Sequence, residues 1–414
     1  MRMLNRCIAV AGVFLQTSMS LAQLGLSNLQ VHGFVSQGYM KTSDNNYLTM
    51  MTRNGSFEFN EAAVNFSFTL GPKLHGGIQL FSKDLGREGN HNIILDWGYG
   101  DYRWRDFLGI RLGRIKTPRG LYNEIRDIDV LRPTVLLPQS VYNEGIKDPA
   151  FAYQGGGLYG YVSIGALGDL AYDAFAGTFN VPDPNGGYWD NNFRNMMQGA
   201  LRSGEFPAQP NATIRNPFIR GNRLYGGALK WETPLEGLRF GGSILYADVD
   251  VEAELELIIP IQAISIIRVM PMHTDVQIKN HIVGSCEYKN QRLTLAAEYQ
   301  YEERHIREPE HMISIRADFK GWYTLGAYRI TDYLTLAGYY SVSEDDDDSI
   351  AEQPAYYGWL RDTALGLNFR LTSSWIMKVE GHYMDGGYHL GVRENPDGFE
   401  QYWYLLAVKT SFHF

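Results

Sequence analysis

The chain has 414 residues, with 46 acidic against 37 basic side chains and a formal charge of −9. That balance argues against nucleic acid as a partner. After the N-terminal stretch no run of about eighteen apolar residues occurs, which excludes a membrane-spanning helix but not a membrane-spanning barrel.

The elements follow in chain order. Residues 1–22 have the marks of a secretory signal peptide: Arg2 and Arg6, an apolar run Cys7 to Leu15, and a small-x-small site at Ser20-Leu21-Ala22. Its removal takes away Cys7 and leaves Cys286 alone, so no intramolecular disulfide is expected. Residues 23–414 then read as strands. The first pairs are Leu29–Thr42 with Phe57–Leu70, and Leu74–Asp84 with Ile93–Trp104, followed by Leu108–Lys116. A long segment, 117–150, separates these from Gly155–Leu167 and Leu170–Asn180. After a polar loop over 181–222 come Arg223–Glu232, Leu238–Val249, Val276–Tyr288, Arg292–Arg304, Met312–Arg329, Tyr333–Ser343, Arg361–Leu371, Trp375–Met384 and the final strand from Tyr402. Short turns alternate with longer connections throughout. The expected fold is all-β: a transmembrane antiparallel barrel of about 16 strands, with short periplasmic turns and long extracellular loops.

Alternation decides which face is wet. In the last strand Tyr402, Tyr404, Leu406, Val408, Thr410, Phe412 and Phe414 oppose Trp403, Leu405, Ala407, Lys409, Ser411 and His413. The first set, aromatic at both ends and aliphatic between, is a lipid face with two girdles. A charge facing mid-membrane lipid costs about 2–4 kcal/mol, so charged faces are assigned to an aqueous lumen. This places Arg292, Glu298, Arg316, Asp318, Lys320, Lys378, Glu380 and Lys409 inside, with Lys279, Glu302 and Arg370. Trp322, Tyr328 and Trp403 become the lumen aromatics of a possible sugar path.

The terminal Phe414 resembles the end of bacterial outer-membrane β-barrels, whose last aromatic is read by the barrel-assembly machinery. Val31–Tyr39, Phe57–Ala62 and the run Gly120–Glu124 are similar to proteobacterial porin-like proteins, and the whole mature length resembles the general porins. A looser likeness to phosphate-selective porins exists, but the lumen faces carry both signs and no clean basic ladder. The resemblance implies residence in the outer membrane among lipid and lipopolysaccharide, a homotrimer, no cofactor and a third loop folded into the pore.

That loop would be 117–150. Its apolar residues need packing partners, and the resemblance implies that Leu121, Ile125 and Leu136 lean on the inner wall. Arg119, Glu124, Arg126, Asp127, Asp129 and Arg132 would edge the constriction, faced by Arg111 on the feeding strand. Opposed charges across a narrow passage bias which ions cross. The alternative is a capping loop whose charges pair with one another.

Residues 250–272 alternate acids with aliphatics up to Pro260, which suggests a hairpin rising above the membrane with an apolar face in need of a partner. The acidic run 344–348 is either a solvated loop or a divalent-cation site. His305 and His311 around Glu308 and Glu310 match no closed metal site. No nucleophile–base arrangement stands out, so no enzyme and no catalytic residue is expected. The expected function is passive diffusion of small hydrophilic solutes and ions. A phosphate-, anion- or sugar-selective channel and a non-conducting structural or adhesive barrel are the alternatives.

Overall fold

Sixteen strands form one closed antiparallel barrel in the order β1-β16-β15 and so on back to β2. The computed structural model describes residues 27–147, 152–179, 211–261, 264–308, 313–347 and 354–414. The expected signal peptide lies outside these, as do Glu310, His311, Asp348 and most of the loop expected over 181–222. The strands are β1 Ser27–Thr42, β2 Asn60–Thr69, β3 Leu74–Asp84, β4 Ile93–Arg105, β5 Leu108–Lys116, β6 Ala152–Ser163, β7 Asp169–Thr178 and β8 Asn211–Glu232. The second half comprises β9 Leu238–Ile261, β10 Ile264–Lys289, β11 Leu293–Glu308, β12 Ile313–Arg329, β13 Leu334–Asp347, β14 Trp359–Arg370, β15 Trp375–Gly386 and β16 Tyr402–His413.

Closure satisfies the backbone without lipid or water. At the seam Gln37 pairs with Thr410 and Tyr39 with Val408. The ladder continues one residue beyond β16: Gly33 and Phe414 exchange both backbone hydrogen bonds at 3.0 Å. The start of β1 and Phe414 therefore lie at one rim, the turn rim, where connections such as 70–73 and 233–237 sit; the loop rim is opposite.

The outer surface matches the lipid profile. Leu112, Leu229 and Leu365 stand 55–65% exposed. Stacked aromatics frame such aliphatics: Trp375 on Phe412 and Trp231 on Phe240 towards the turn rim, Tyr225 on Tyr246 and Tyr383 beside Tyr402 towards the loop rim. In β16 the expected phase holds, with Trp403, Leu405, Ala407, Lys409 and Ser411 buried inside.

Strand β12 has the opposite phase to that expected. Ala317, Phe319, Tyr323, Leu325 and Ala327 are the buried set, and Arg316, Asp318, Lys320, Trp322 and Tyr328 face outward. Trp322 packs edge-on against Tyr340 at the loop-rim girdle. The charges at 316–320 lie beyond that girdle, where water hydrates them and the lipid penalty does not apply. Tyr328 belongs to the turn-rim girdle, so Trp403 alone of the three expected lumen aromatics faces inward.

The wall is tallest at β8, β9 and β10, with 22, 24 and 26 residues, well beyond the roughly ten needed to cross a membrane. Ile261 pairs with Ile264, so the hairpin expected over 250–272 is a continuation of β9 and β10, and Pro260 lies within it opposite Ser265. Residues 211–222, expected as loop, continue β8. The register shift between Arg215 and Phe218 spans Pro217, consistent with the confinement of proline to bulges and edges. The partner for the inner apolar face is this chain: Val249 and Val251 pack with Phe179, Ile219 and Leu224.

A Cβ at Gly33 would stand 2.5 Å from the Phe414 ring and 2.7 Å from the Ala63 carbonyl oxygen. Gly33→Val is expected to cost about 1–3 kcal/mol by wedging the seam. Heat-modifiable migration after refolding checks this: a lower denaturation midpoint with an unchanged folded band is expected.

Candidate functional site: the lumen and its inner loop

Residues 117–147, after β5, turn into the barrel and cross it. Three single 3-10 turns, Asn123–Ile125, Asp129–Leu131 and Glu144–Ile146, shape the path. The loop is bolted to the wall at three places.

The first bolt lies against β2, β15 and β16. Lys378 and Lys409 face each other across β15 and β16. The Lys409 ammonium reaches Glu61 at 2.6 Å and Asp129 at 3.0 Å. Asp129 also accepts from Ser411 and Arg132, and Lys147 reaches the other Glu61 oxygen at 2.6 Å. Lys378 donates to the carbonyls of Asp129, Arg132 and Thr134 at 2.7–3.0 Å, using its whole donor capacity on the loop backbone. Glu380 accepts the Val135 and Leu136 N–H groups at 2.9 and 3.2 Å. Burial would raise the Asp129 carboxyl, but Lys409, Arg132 and Lys378 outweigh it and hold the group well below the usual range.

The second bolt is Glu298 on β11. It accepts the Leu121 N–H at 2.9 Å, the Tyr323 hydroxyl at 2.7 Å and the Tyr142 and Ser285 hydroxyls. Arg119 beside it donates to the Val141 carbonyl at 2.9 Å and to His281 at 3.2 Å. The third is Gln79 on β3, whose amide donates at 2.7 Å to Asp96 and to Asp127. Apolar packing joins the bolts. Leu136 and Val135 sit in a cluster with Met384, Trp403 and Leu405, while Leu121 and Ile125 rest partly buried against one that contains Tyr142 and Tyr323.

The expected constriction residues therefore divide. Arg119, Arg126, Asp127, Asp129 and Arg132 are at most 4% exposed and hold the loop in place rather than lining a passage. Arg126 pairs with Glu144 at 3.2 Å and donates to the Tyr142 and Asn143 carbonyls. Glu124 and Arg111 remain open. Glu124 reaches Lys230 on β8 at 2.7 Å, both about one-third exposed. Arg111 faces the lumen, hydrogen-bonded to Asp101 at 2.9 Å, 3.9 Å from Asp173 and stacked over Tyr159 at 4.0 Å. Of the expected lumen residues, Glu298, Lys378, Glu380 and Lys409 are buried beneath the loop, and Arg292 is exposed in the turn before β11. Arg316, Asp318 and Lys320 are outside, as described. Glu61, Gln79, Asp96, Lys147 and Ser411 were not singled out from the sequence. Glu61 carried a signal, as the one carboxylate on the inward face of β2.

The acidic run 344–348 is neither a free loop nor a cation site over its described part. Asp345 accepts from Arg304 and Tyr388 at 2.7 Å, and Asp346 pairs with Lys320 at 2.6 Å.

No protein-family model matches the sequence, and no curated protein matches it. Solved structures do match in fold. The outer membrane channel DcaP of Acinetobacter baumannii has a TM-score of 0.53 at 10% identity, over 94% of this chain and 97% of its own. The anion-selective porin from Comamonas acidovorans gives 0.51 at 11%, over 94% and 99%. Salmonella typhi OmpF, solved in complex with daunomycin, gives 0.53 at 11%, over 95% and 99%. The chain has the fold of outer-membrane porins. Its closed wall and apolar outer belt are those of a barrel that spans a membrane.

Two outcomes are expected from this geometry. Asp129→Asn leaves Arg132 without its paired carboxylate and Lys409 with Glu61 alone, at a cost of about 3–5 kcal/mol; hydrogen exchange should show residues 129–136 exchanging faster while the strands stay protected. The second concerns His389, in the loop after β15, which bridges Asn143 at 2.9 Å and Ser343 at 3.2 Å. Burial, with Arg304 adding to it, pushes this imidazole down to about 3. Once released it would take up a proton near about 6.5. The contribution of the packed form is thus intact above that pH and lost progressively as pH falls towards the depressed value. Protection of amides 387–401 should fall between about pH 6.5 and 4, and His389→Gln should flatten that dependence.

Proposed function

We propose that this barrel is an outer-membrane porin that passes small hydrophilic solutes and ions by passive diffusion, not an enzyme. It would act as a homotrimer among lipid and lipopolysaccharide, inserted by the barrel-assembly machinery through its Phe414 end. The observation that carries the reading is the division of the lumen. The inner loop is bolted to β2, β3, β11, β15 and β16 through buried charges. Facing β5, β7 and β8 it leaves part-exposed charges of both signs: Glu124, Lys230, Arg111 and Asp173. Charged side chains that retain water inside an apolar-coated wall are what an aqueous path needs.

A second reading, a selective or gated channel, is favoured by one observation. The inner loop crosses the lumen as a fixed element, held by Asp129, Glu380, Glu298 and Gln79 contacts, and a loop so fixed narrows the path that remains.

Single-channel recording in a planar bilayer under a salt gradient tests both. Discrete steps in the refolded protein are expected. Lys230→Gln should move the reversal potential towards cation preference, and Glu124→Gln should move it the other way. A folded, inserted barrel that never conducts overturns free diffusion and favours gating.

A further inference from the structure

The outer face of the tall β9–β10 ribbon carries a cluster that neither the barrel nor its lumen uses. Asp250 lies directly opposite Asp275, and the next outward rung pairs Glu252 with His273. Directly opposed side chains on one face have Cβ atoms about 4.5–5.5 Å apart, so the ladder itself brings three carboxylates and an imidazole together. The His273 nitrogen and one oxygen each from Asp250 and Asp275 all lie within 4.8 Å of one another. Tyr246, stacked on Tyr225, marks the girdle four residues below Asp250, so the cluster stands clear of the lipid belt.

We propose that Asp250, His273 and Asp275 bind one divalent cation of the Zn²⁺ class, with Glu252 available as a fourth ligand. A ligand set of one imidazole and two or three carboxylates suits such a borderline ion. Ca²⁺ wants six to eight oxygens, which four side chains on an open sheet face do not supply. Ligand bonds of about 2.1 Å require the three atoms to close inward. His273 and Asp275, 44% and 34% exposed, have room to do so.

The charges nearby do not pre-empt the site. Arg220 flanks Asp250 and Arg307 flanks Asp275 in the register. Among the described residues the one ion pair made by the cluster is internal, His273 to Asp275 at 3.8 Å. Asp248, one outward rung towards the membrane, is engaged by Arg223 at 2.5 Å.

Refolded, tag-free protein in detergent micelles should be titrated with Zn²⁺ by calorimetry, and with Co²⁺ by visible absorption. One ion per chain is expected, with Co²⁺ bands of a mixed nitrogen–oxygen site. His273→Ala and Asp250→Asn should each weaken binding by at least about tenfold. His91→Ala, which removes an exposed histidine in the connection between β3 and β4, paired with Asp84, should not. Heat-modifiable migration identifies folded variants, and His273→Gln serves where alanine perturbs the hairpin. No saturable binding, or binding unchanged in folded His273 and Asp250 variants, would overturn the proposal.

Discussion

A charge enclosed by a closed wall has to find its counter-charge inside that wall. Lys378 and Lys409 stand side by side on β15 and β16, buried to 2%, and two ammonium groups so placed are unfavourable until something answers them. Glu61 of β2 answers Lys409 in part, and the inner loop completes both, one through the Asp129 carboxylate and one through three backbone carbonyls. Removing charges from water is expensive, and a buried pair is weak evidence for net stability. Its value here is positional: the loop has one place in which its charges and those of the wall are all satisfied.

That constraint explains how the loop is held with no more regular structure than three 3-10 turns. A chain of this length inside a barrel cannot bond its backbone to a sheet. Its N–H and C=O groups need individual partners, and side chains of the wall supply them: Glu380 for Val135 and Leu136, Glu298 for Leu121, Lys378 for three carbonyls. Leaving one such group buried and unmet costs about 1–3 kcal/mol. The wall side chains therefore act as substitutes for a strand.

Much of the barrel was legible in the sequence, because a period of two and glycine- or asparagine-rich turns are local signals. Strands β3 and β5 have the bounds that their residues suggest. The phase of β12 was not legible, and the cause is physical. Apolar alternation was equated with lipid, yet Phe319 stacks on Tyr388 and Tyr323 donates to Glu298 inside the barrel. A lumen filled by its own loops needs apolar wall residues as a core does. The loop charges were recognisable as important but not as buried, since Asp129, besides its neighbour Arg132, is held by Lys409, 280 positions away. Nothing local to either residue reports the other.

The height of the wall follows from the same reasoning about solvent. Between the girdles every outward residue of a strand answers to lipid, and alternation is enforced by a cost of a few kcal/mol for each misplaced charge. Beyond the girdle that cost vanishes, so outward positions are free to carry charge. Asp250, Glu252, His273 and Asp275 on β9 and β10, like Arg316 and Lys320 on β12, are charged or polar on the face that is apolar lower down. The inner face keeps its apolar character over the same stretch, with Val249 and Val251 fully packed. The strands thus change solvent on one side only. That lets three strands of 22–26 residues continue as a sheet above the membrane, with an inside packed by this chain and an outside free to bind something else.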